Sequence, residues 1–320
     1  MNEGSKRAIF AAFAANLGIA IAKFVGFLLT GSAGLMAEAV HSLADTGNQA
    51  LLLLGSNRAR QHPDDEHPFG FGRERYFWAF AVALVLFSMG GLFALYEGIN
   101  KFRNPHEVES FGIAIVILLL ASALDGYSLW TAIQESRKIK PPDMGWFRYI
   151  RESKQPELTV VLLEDSGAEI GLSFALAGVL LAHFTGDPRW DAAGSIAIGL
   201  LLIVIALLLA NEMKSLLIGE SASRDDVAKI RSAIEGSKDV DELLHLRTEH
   251  LGPDDIMIAA KIEYDSRLTF DEVTRAINTT EANIRRVVPA ARIIYIEPDV
   301  HRTPEELAAE HGSDANRSAI

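Results

Sequence analysis

Six apolar stretches, each close to the roughly 20 residues needed to cross a hydrocarbon core of about 30 Å, dominate the first two thirds of this chain. They run from Ala8 to Leu29, Ser32 to Gly55, Phe77 to Tyr96, Gly112 to Ala132, Leu158 to Leu181 and Ala192 to Ala210. The first is no cleavable signal, because its apolar run is too long and Thr30-Gly31-Ser32 turns directly into the second. Over all 320 residues, 49% are hydrophobic and only 22% charged, which places much of the chain in lipid.

Basic residues in the short loops set the orientation, since they favour the cytoplasmic side. One side carries 12 of them, at positions 6, 7, 58, 60, 73, 75, 137, 138, 140, 148, 151 and 154, against Lys101, Arg103 and Arg189 on the other. Both ends are therefore expected in the cytoplasm. After Glu220 the pattern becomes that of a small soluble α+β domain. Arg224 to Ile234 and Phe270 to Val287 have helical spacing; Leu243 to His250, Ile256 to Tyr264 and Arg292 to Ile296 read as strands, the first two joined at Gly252-Pro253-Asp254-Asp255. The charged, weakly patterned segment 302–320 is expected to be a flexible tail.

The chain has no cysteine, which excludes disulfides, thiolate zinc sites, iron-sulfur clusters and cysteine nucleophiles. Any metal must be held by nitrogen and oxygen. The formal charge of −12 argues against nucleic-acid binding, and 21 acidic against 13 basic residues from Gly219 onward place −8 of it in the last third.

A charge at mid-membrane costs at least about 2.5 to 3.5 kcal/mol, so each polar residue inside a span needs a reason. Glu38, His41, Asp45 and Asn48 follow spacings of three, four and three and share one face of the second span. An imidazole and a carboxylate one turn apart, His41 and Asp45, can point at a single divalent cation. The fifth span supplies Glu164, Asp165 and Glu169. Asp165 and Glu169 share a face, whereas Glu164 is rotated by about 100° from Asp165. Gly167 and Gly171 permit close approach of a neighbouring helix, which would bring the second and fifth spans together. Lys23 in the first span and Asp125 in the fourth add a cation and an anion that can neutralise each other. Structural pairing and proton handling compete with ligation for Glu38, Glu169, Asp125 and Lys23.

At these residues the chain resembles a known family. Gly31 to Gln49, GSAGLMAEAVHSLADTGNQ, is similar to the second-span signature of the cation diffusion facilitators, and His62 to Arg73, HPDDEHPFGFGR, to their loop before the third span. Leu162 to Gly167 with Ile218 to Ala222 looks most like the branch containing the animal mitochondrial zinc transporter. The resemblance covers nearly the whole chain. It implies an α-helical membrane protein with six transmembrane helices in residues 1–218, then a C-terminal cytoplasmic α+β, ferredoxin-like dimerisation domain of α-β-β-α-β order in 219–301. It further implies a homodimeric antiporter, with no cofactor, that exports a divalent cation, most often Zn²⁺, in exchange for protons.

Carried over residue by residue, the transport site would be His41 and Asp45 from the second span and Asp165 from the fifth, with Val161 where a fourth ligand belongs. Glu164, Glu169 or a water would have to substitute in a tetrahedral site, and Glu164 is favoured, which requires a local distortion of its helix. In the loop, Asp64 and His67 match two positions of a secondary zinc site, but Phe71 stands where a histidine is expected. In the soluble domain His245, His250, Asp299 and His301 are candidate ligands without the histidine-rich pattern of zinc-sensing members.

The exchange that the resemblance implies would be driven by the proton gradient, which an imidazole with an ordinary pKa of about 6.5 suits, and no ATP-binding loop is visible. Oxygen-rich ligation also tolerates Mn²⁺, Fe²⁺ or Co²⁺. Two other classes compete. An intramembrane metalloenzyme would need a motif such as H-E-x-x-H, which is missing, and a metal-sensing receptor would bind metal without flux. The short N-terminus without a presequence favours a bacterial inner membrane.

Overall fold

The computed structural model describes residues 3–142 and 144–301. The tail expectation for 302–320 lies outside the described residues. The chain divides into two compact units, with the boundary between Ile218 and Gly219.

The first unit is helical. Its helices are α1 (Glu3–Thr30), α2 (Ala33–Arg58), α3 (Glu74–Val85), α4 (Phe93–Arg103), α5 (Phe111–Ile139), α6 (Trp146–Glu152), α7 (Pro156–Thr185) and α8 (Arg189–Ile218). A π-helical segment, Leu86–Leu92, joins α3 to α4, so Glu74–Arg103 is one 30-residue span. By length and composition four helical stretches among the described residues can cross a membrane: Glu74–Arg103, Phe111–Lys138, Pro156–Thr185 and Arg189–Ile218. α1 contributes the apolar stretch Asn16–Thr30, and α2 is long enough but too polar to qualify by itself, because its inner face carries Glu38, His41, Asp45 and Asn48. Its place among the spans depends on burying that face against α1, α3 and α7.

Local signals mark the helix ends. The Ser32 hydroxyl caps α2 by accepting from the Leu35 amide. Pro156 opens α7, where its missing N–H costs nothing, and Gly186 closes it at φ +71°. Small residues set the packing. A Cβ on Gly91 would lie 2.6 Å from Ile203 Cγ1, and one on Gly199 would lie 2.6 Å from the Leu95 amide nitrogen, so the third span and α8 touch backbone to backbone. Outward-facing Val116, Leu120 and Trp130 on α5 and Val204 and Leu207 on α8 are exposed, as a lipid-facing surface requires.

The second unit contains α9 (Arg224–Glu235), β1 (Val240–Gly252), β2 (Asp255–Tyr264), α10 (Phe270–Val287) and β3 (Ala291–Pro298). The sheet order is β1-β2-β3. β1 and β2 form an antiparallel hairpin, and β3 pairs parallel with β2 after α10 has crossed over. Along β2 the side chains alternate, and Ile256, Ile258, Ala260 and Ile262 pack with Ile230 and Ile234 of α9 and Ala276 and Ile284 of α10. A capping box, Thr269 with Glu272, starts α10. This is the expected α-β-β-α-β order. Two elements escaped the sequence reading: the short helix α6 and the π-helical segment.

Candidate metal site in the helical unit

On α2, Glu38, His41 and Asn48 are fully buried at 0% exposure. Neither ring nitrogen of His41 has a hydrogen-bond partner among the described residues, and the nearest carboxylate oxygen, Asp45 Oδ1, is 3.6 Å from Nδ1. Asp45 Oδ1 and Asn48 Oδ1 are also buried without a donor. The π-helical segment bears on this face: a Cβ on Gly90 would lie 3.7 Å from His41 Nδ1, so glycine keeps that side of the imidazole open.

Of the carboxylates around this face, Glu38 and Asp125 share one partner, and Glu164, Asp165 and Glu169 each have another. Lys23, fully buried on α1, donates to Glu38 Oε2 at 3.1 Å, Asp125 Oδ2 at 3.0 Å and Ser42 Oγ at 2.8 Å. One ammonium thus joins α1, α2 and α5. Glu164 Oε1 accepts from Asn48 Nδ2 at 2.6 Å, and Asp165 Oδ2 accepts from Ser128 Oγ of α5 at 2.8 Å. Glu169 Oε1 accepts from Ser122 Oγ at 2.6 Å, while its Oε2 is buried without a donor. Gly171 admits Glu38, whose Oε1 would be 2.5 Å from a Cβ there; Gly167 instead admits Ile205 of α8.

The local distortion expected for Glu164 is absent. α7 is continuous α-helix from Pro156 to Thr185, and Glu164 reaches α2 simply because its side chain projects about 100° from Asp165 and meets Asn48 there. Glu164 and Asp165 accordingly face different helices. Among the described residues no three His, Asp or Glu side chains converge into a ready-made metal cluster.

A second buried ionic group was missed. Lys101, counted among loop charges in the sequence, is only 1% exposed and donates to Asp191 Oδ2 at 2.8 Å and to the Gly31 carbonyl at 2.6 Å. Asp191 also accepts from Ser32 Oγ at 2.6 Å and from the Ala33 amide at 2.8 Å. This ties the start of α2 to α4 and α8. Apolar runs show where spans lie, and a lysine near a span end is assigned to the loop unless its partner is known.

The outlying candidates do not cluster. Asp64 and His67 are exposed, and the His67 amide at 2.6 Å from Asp64 Oδ1 holds that carboxyl below its ordinary range. The Phe71 ring packs on the His67 imidazole, with centroids 4.5 Å apart. His245 Nε2 accepts from Arg247 at 2.9 Å, and His250 is buried with Nδ1 3.1 Å from the Gly252 carbonyl. Asp299 accepts from Lys261 at 3.0 Å, and His301 lies 3.4 Å from Glu242. Asp299 and Glu297 together raise the Lys261 pKa.

A family model described as the cation efflux transmembrane domain matches residues 9–218. The chain belongs to the cation efflux family. A second model, the cation efflux protein cytoplasmic domain, matches residues 222–299 of this cation efflux chain. The human protein named proton-coupled zinc antiporter SLC30A9, mitochondrial, is 32% identical over 247 residues, covering 77% of this chain and 44% of its own length. Zinc transporter ZitB of Escherichia coli is 27% identical over 258 residues, covering 80% and 76%. The cation-efflux pump FieF of Klebsiella pneumoniae is 24% identical over 315 residues, covering 96% and 95%. The chain thus spans less than half the length of the SLC30A9 relative. The likeness read from residues 31–49 and 62–73 is borne out, and with it a multi-pass helical membrane domain followed by a small α+β domain.

Proposed function

We propose that this protein is a secondary transporter exchanging a divalent cation, Zn²⁺ first, for protons, with His41, Asp45, Asp165 and Glu164 as ligands. One observation carries this reading: an imidazole and a carboxylate oxygen sit buried on one helix face without hydrogen-bond partners, a costly arrangement unless a cation binds there. The printed names of the relatives, a proton-coupled zinc antiporter and a zinc transporter, point to the same cargo.

In the proposed cycle the site opens to the cytoplasm and binds metal through neutral imidazole and ionised carboxylates, releasing protons. Rocking of the bundle exposes it outward, where returning protons compete with the metal and free it. Glu38, Asp125 and Lys23 form the pairing network beside the site, and Glu169 is a proton-handling candidate. We place the protein in a bacterial inner membrane with both ends in the cytoplasm, as a homodimer.

Liposomes containing the purified chain and an acidic lumen are expected to accumulate external Zn²⁺ and to alkalinise as they do so. Parallel assays with Mn²⁺, Fe²⁺ and Co²⁺ rank the cargo. Metal binding without any flux would reject transport. Sedimentation of the isolated 219–301 unit is expected to give a dimer; a monomer at all concentrations would remove its proposed dimerising role.

A further inference from the structure

Asn48 has no role in the ligand set above, yet it is fully buried on the α2 face that bears His41 and Asp45. Its amide nitrogen donates to Glu164 Oε1 across 2.6 Å. With Glu164 ionised, the carboxylate accepts and only the NH₂ end of asparagine can donate, so the amide turns its nitrogen to Glu164. The amide oxygen is then turned away from Glu164 and lies buried with no donor among the described residues. Burying such an oxygen unpaired is unfavourable, and a leucine would fill the same space without the cost. Asp45 Oδ1 on the same face also lacks a donor. While Asp45 is ionised these oxygens cannot satisfy each other, since both only accept, and an electropositive partner would suit both.

We propose that Asn48 is a further residue of the cation site, its Nδ2 holding Glu164 against α2 and its Oδ1 serving as a neutral oxygen ligand to the transported ion. The inference rests on the transport-site reading above and deepens it. Val161 has no donor atom, so α7 offers nothing at that position, and the amide supplies an oxygen from α2 instead. A neutral oxygen adds a bond without adding charge. It therefore strengthens cation binding without a further anion to neutralise when the ion departs.

The test is calorimetric titration of the full chain in detergent with ZnCl₂, for wild type, Asn48→Leu, Asn48→Asp and Asp45→Ala. Asn48→Leu keeps the branched shape at a somewhat larger volume and removes both the oxygen and the Nδ2 donor, so its Zn²⁺ dissociation constant should rise about 10- to 100-fold. Asn48→Asp keeps an oxygen but cannot donate to an ionised Glu164, and its affinity should match or exceed that of wild type. Wild-type affinity in Asn48→Leu would overturn the proposal. Equal weakening in the leucine and aspartate variants would reduce Asn48 to a positioning residue for Glu164 and overturn its role as a ligand. Should the leucine variant fail to fold, the aspartate variant decides through its affinity: binding as tight as wild type or tighter keeps the proposal, and weaker binding overturns it. Asp45→Ala separates the two levels: its wild-type affinity would reject the transport site as a whole, whereas its loss of binding leaves the Asn48 outcomes to be read alone.

Discussion

Asp45→Ala and Asp165→Ala are each expected to lower proton-driven Zn²⁺ uptake into liposomes at least about 30-fold, while leaving the folded protein as stable as wild type or more so. The two halves of this result have different physical origins. Truncating one partner of a buried, desolvated charge interaction typically costs about 2 to 5 kcal/mol, and each 1.4 kcal/mol is roughly a factor of ten. That sets the flux loss. The stability expectation follows from what the carboxylates touch without metal. Asp45 Oδ1 is buried with no hydrogen-bond donor, so removing it removes a desolvation penalty and leaves no partner stranded. Among the described residues Asp165 accepts only from the Ser128 hydroxyl, which can turn to a carbonyl of the preceding helical turn once the carboxylate is gone, as helical serines do. Retained stability with lost flux is the mark of residues kept for function at the expense of the fold. Wild-type flux in both variants would sink the proposed site, and loss of flux only through unfolding would sink the claim that these carboxylates are functional.

Lys23→Ala is expected to do the reverse and damage the fold. Its ammonium is shared by Glu38 and Asp125, and Lys23 and Glu38 are both fully buried. Breaking a buried ion pair by removing one partner costs about 3 to 5 kcal/mol, because the surviving charge is left uncompensated. That is a large share of the roughly 5 to 15 kcal/mol that stabilises a typical domain. Thermal unfolding in detergent should show a marked loss of stability or no folded protein at all. The combined variant Lys23→Met, Glu38→Gln, Asp125→Asn should recover much of it, since no charge is then stranded. By contrast, the exposed pair Arg285–Glu281, one turn apart on α10, should contribute no more than about 0.5 kcal/mol. If Lys23→Ala unfolds within about 1 kcal/mol of wild type, the ammonium does not hold α1, α2 and α5 together.

The opposed signs of these two predictions turn on which buried polar atoms have partners, and that was not readable from spacing. Spacing put Glu38, His41, Asp45 and Asn48 on one helix face, where the structure places them. It also put Asp165 and Glu169 on one face, and both do turn to α5, to Ser128 and Ser122. Glu164 is the instructive case. Its angular offset was read as an obstacle needing a distorted helix, yet the offset is what carries it to Asn48 on α2. Lys101 misled in another way, because a lysine at the end of an apolar run looks solvated until Asp191, 90 residues later, is known to face it.

By itself the sequence determined the apolar helices, the polar face of α2, the α-β-β-α-β order of the second unit and the family. Each depends on local periodicity, local turn chemistry or a contiguous motif, and such signals survive in one dimension. Only the tertiary structure decided that Lys23 serves Glu38 and Asp125 at once, that Glu164 and Asp165 part company, that Lys101 is buried, and that a π-helical turn sets Gly90 against His41. These depend on which side chains meet across as many as 116 residues of chain. Helix packing and side-chain reach select those meetings, and neither leaves a period in the sequence.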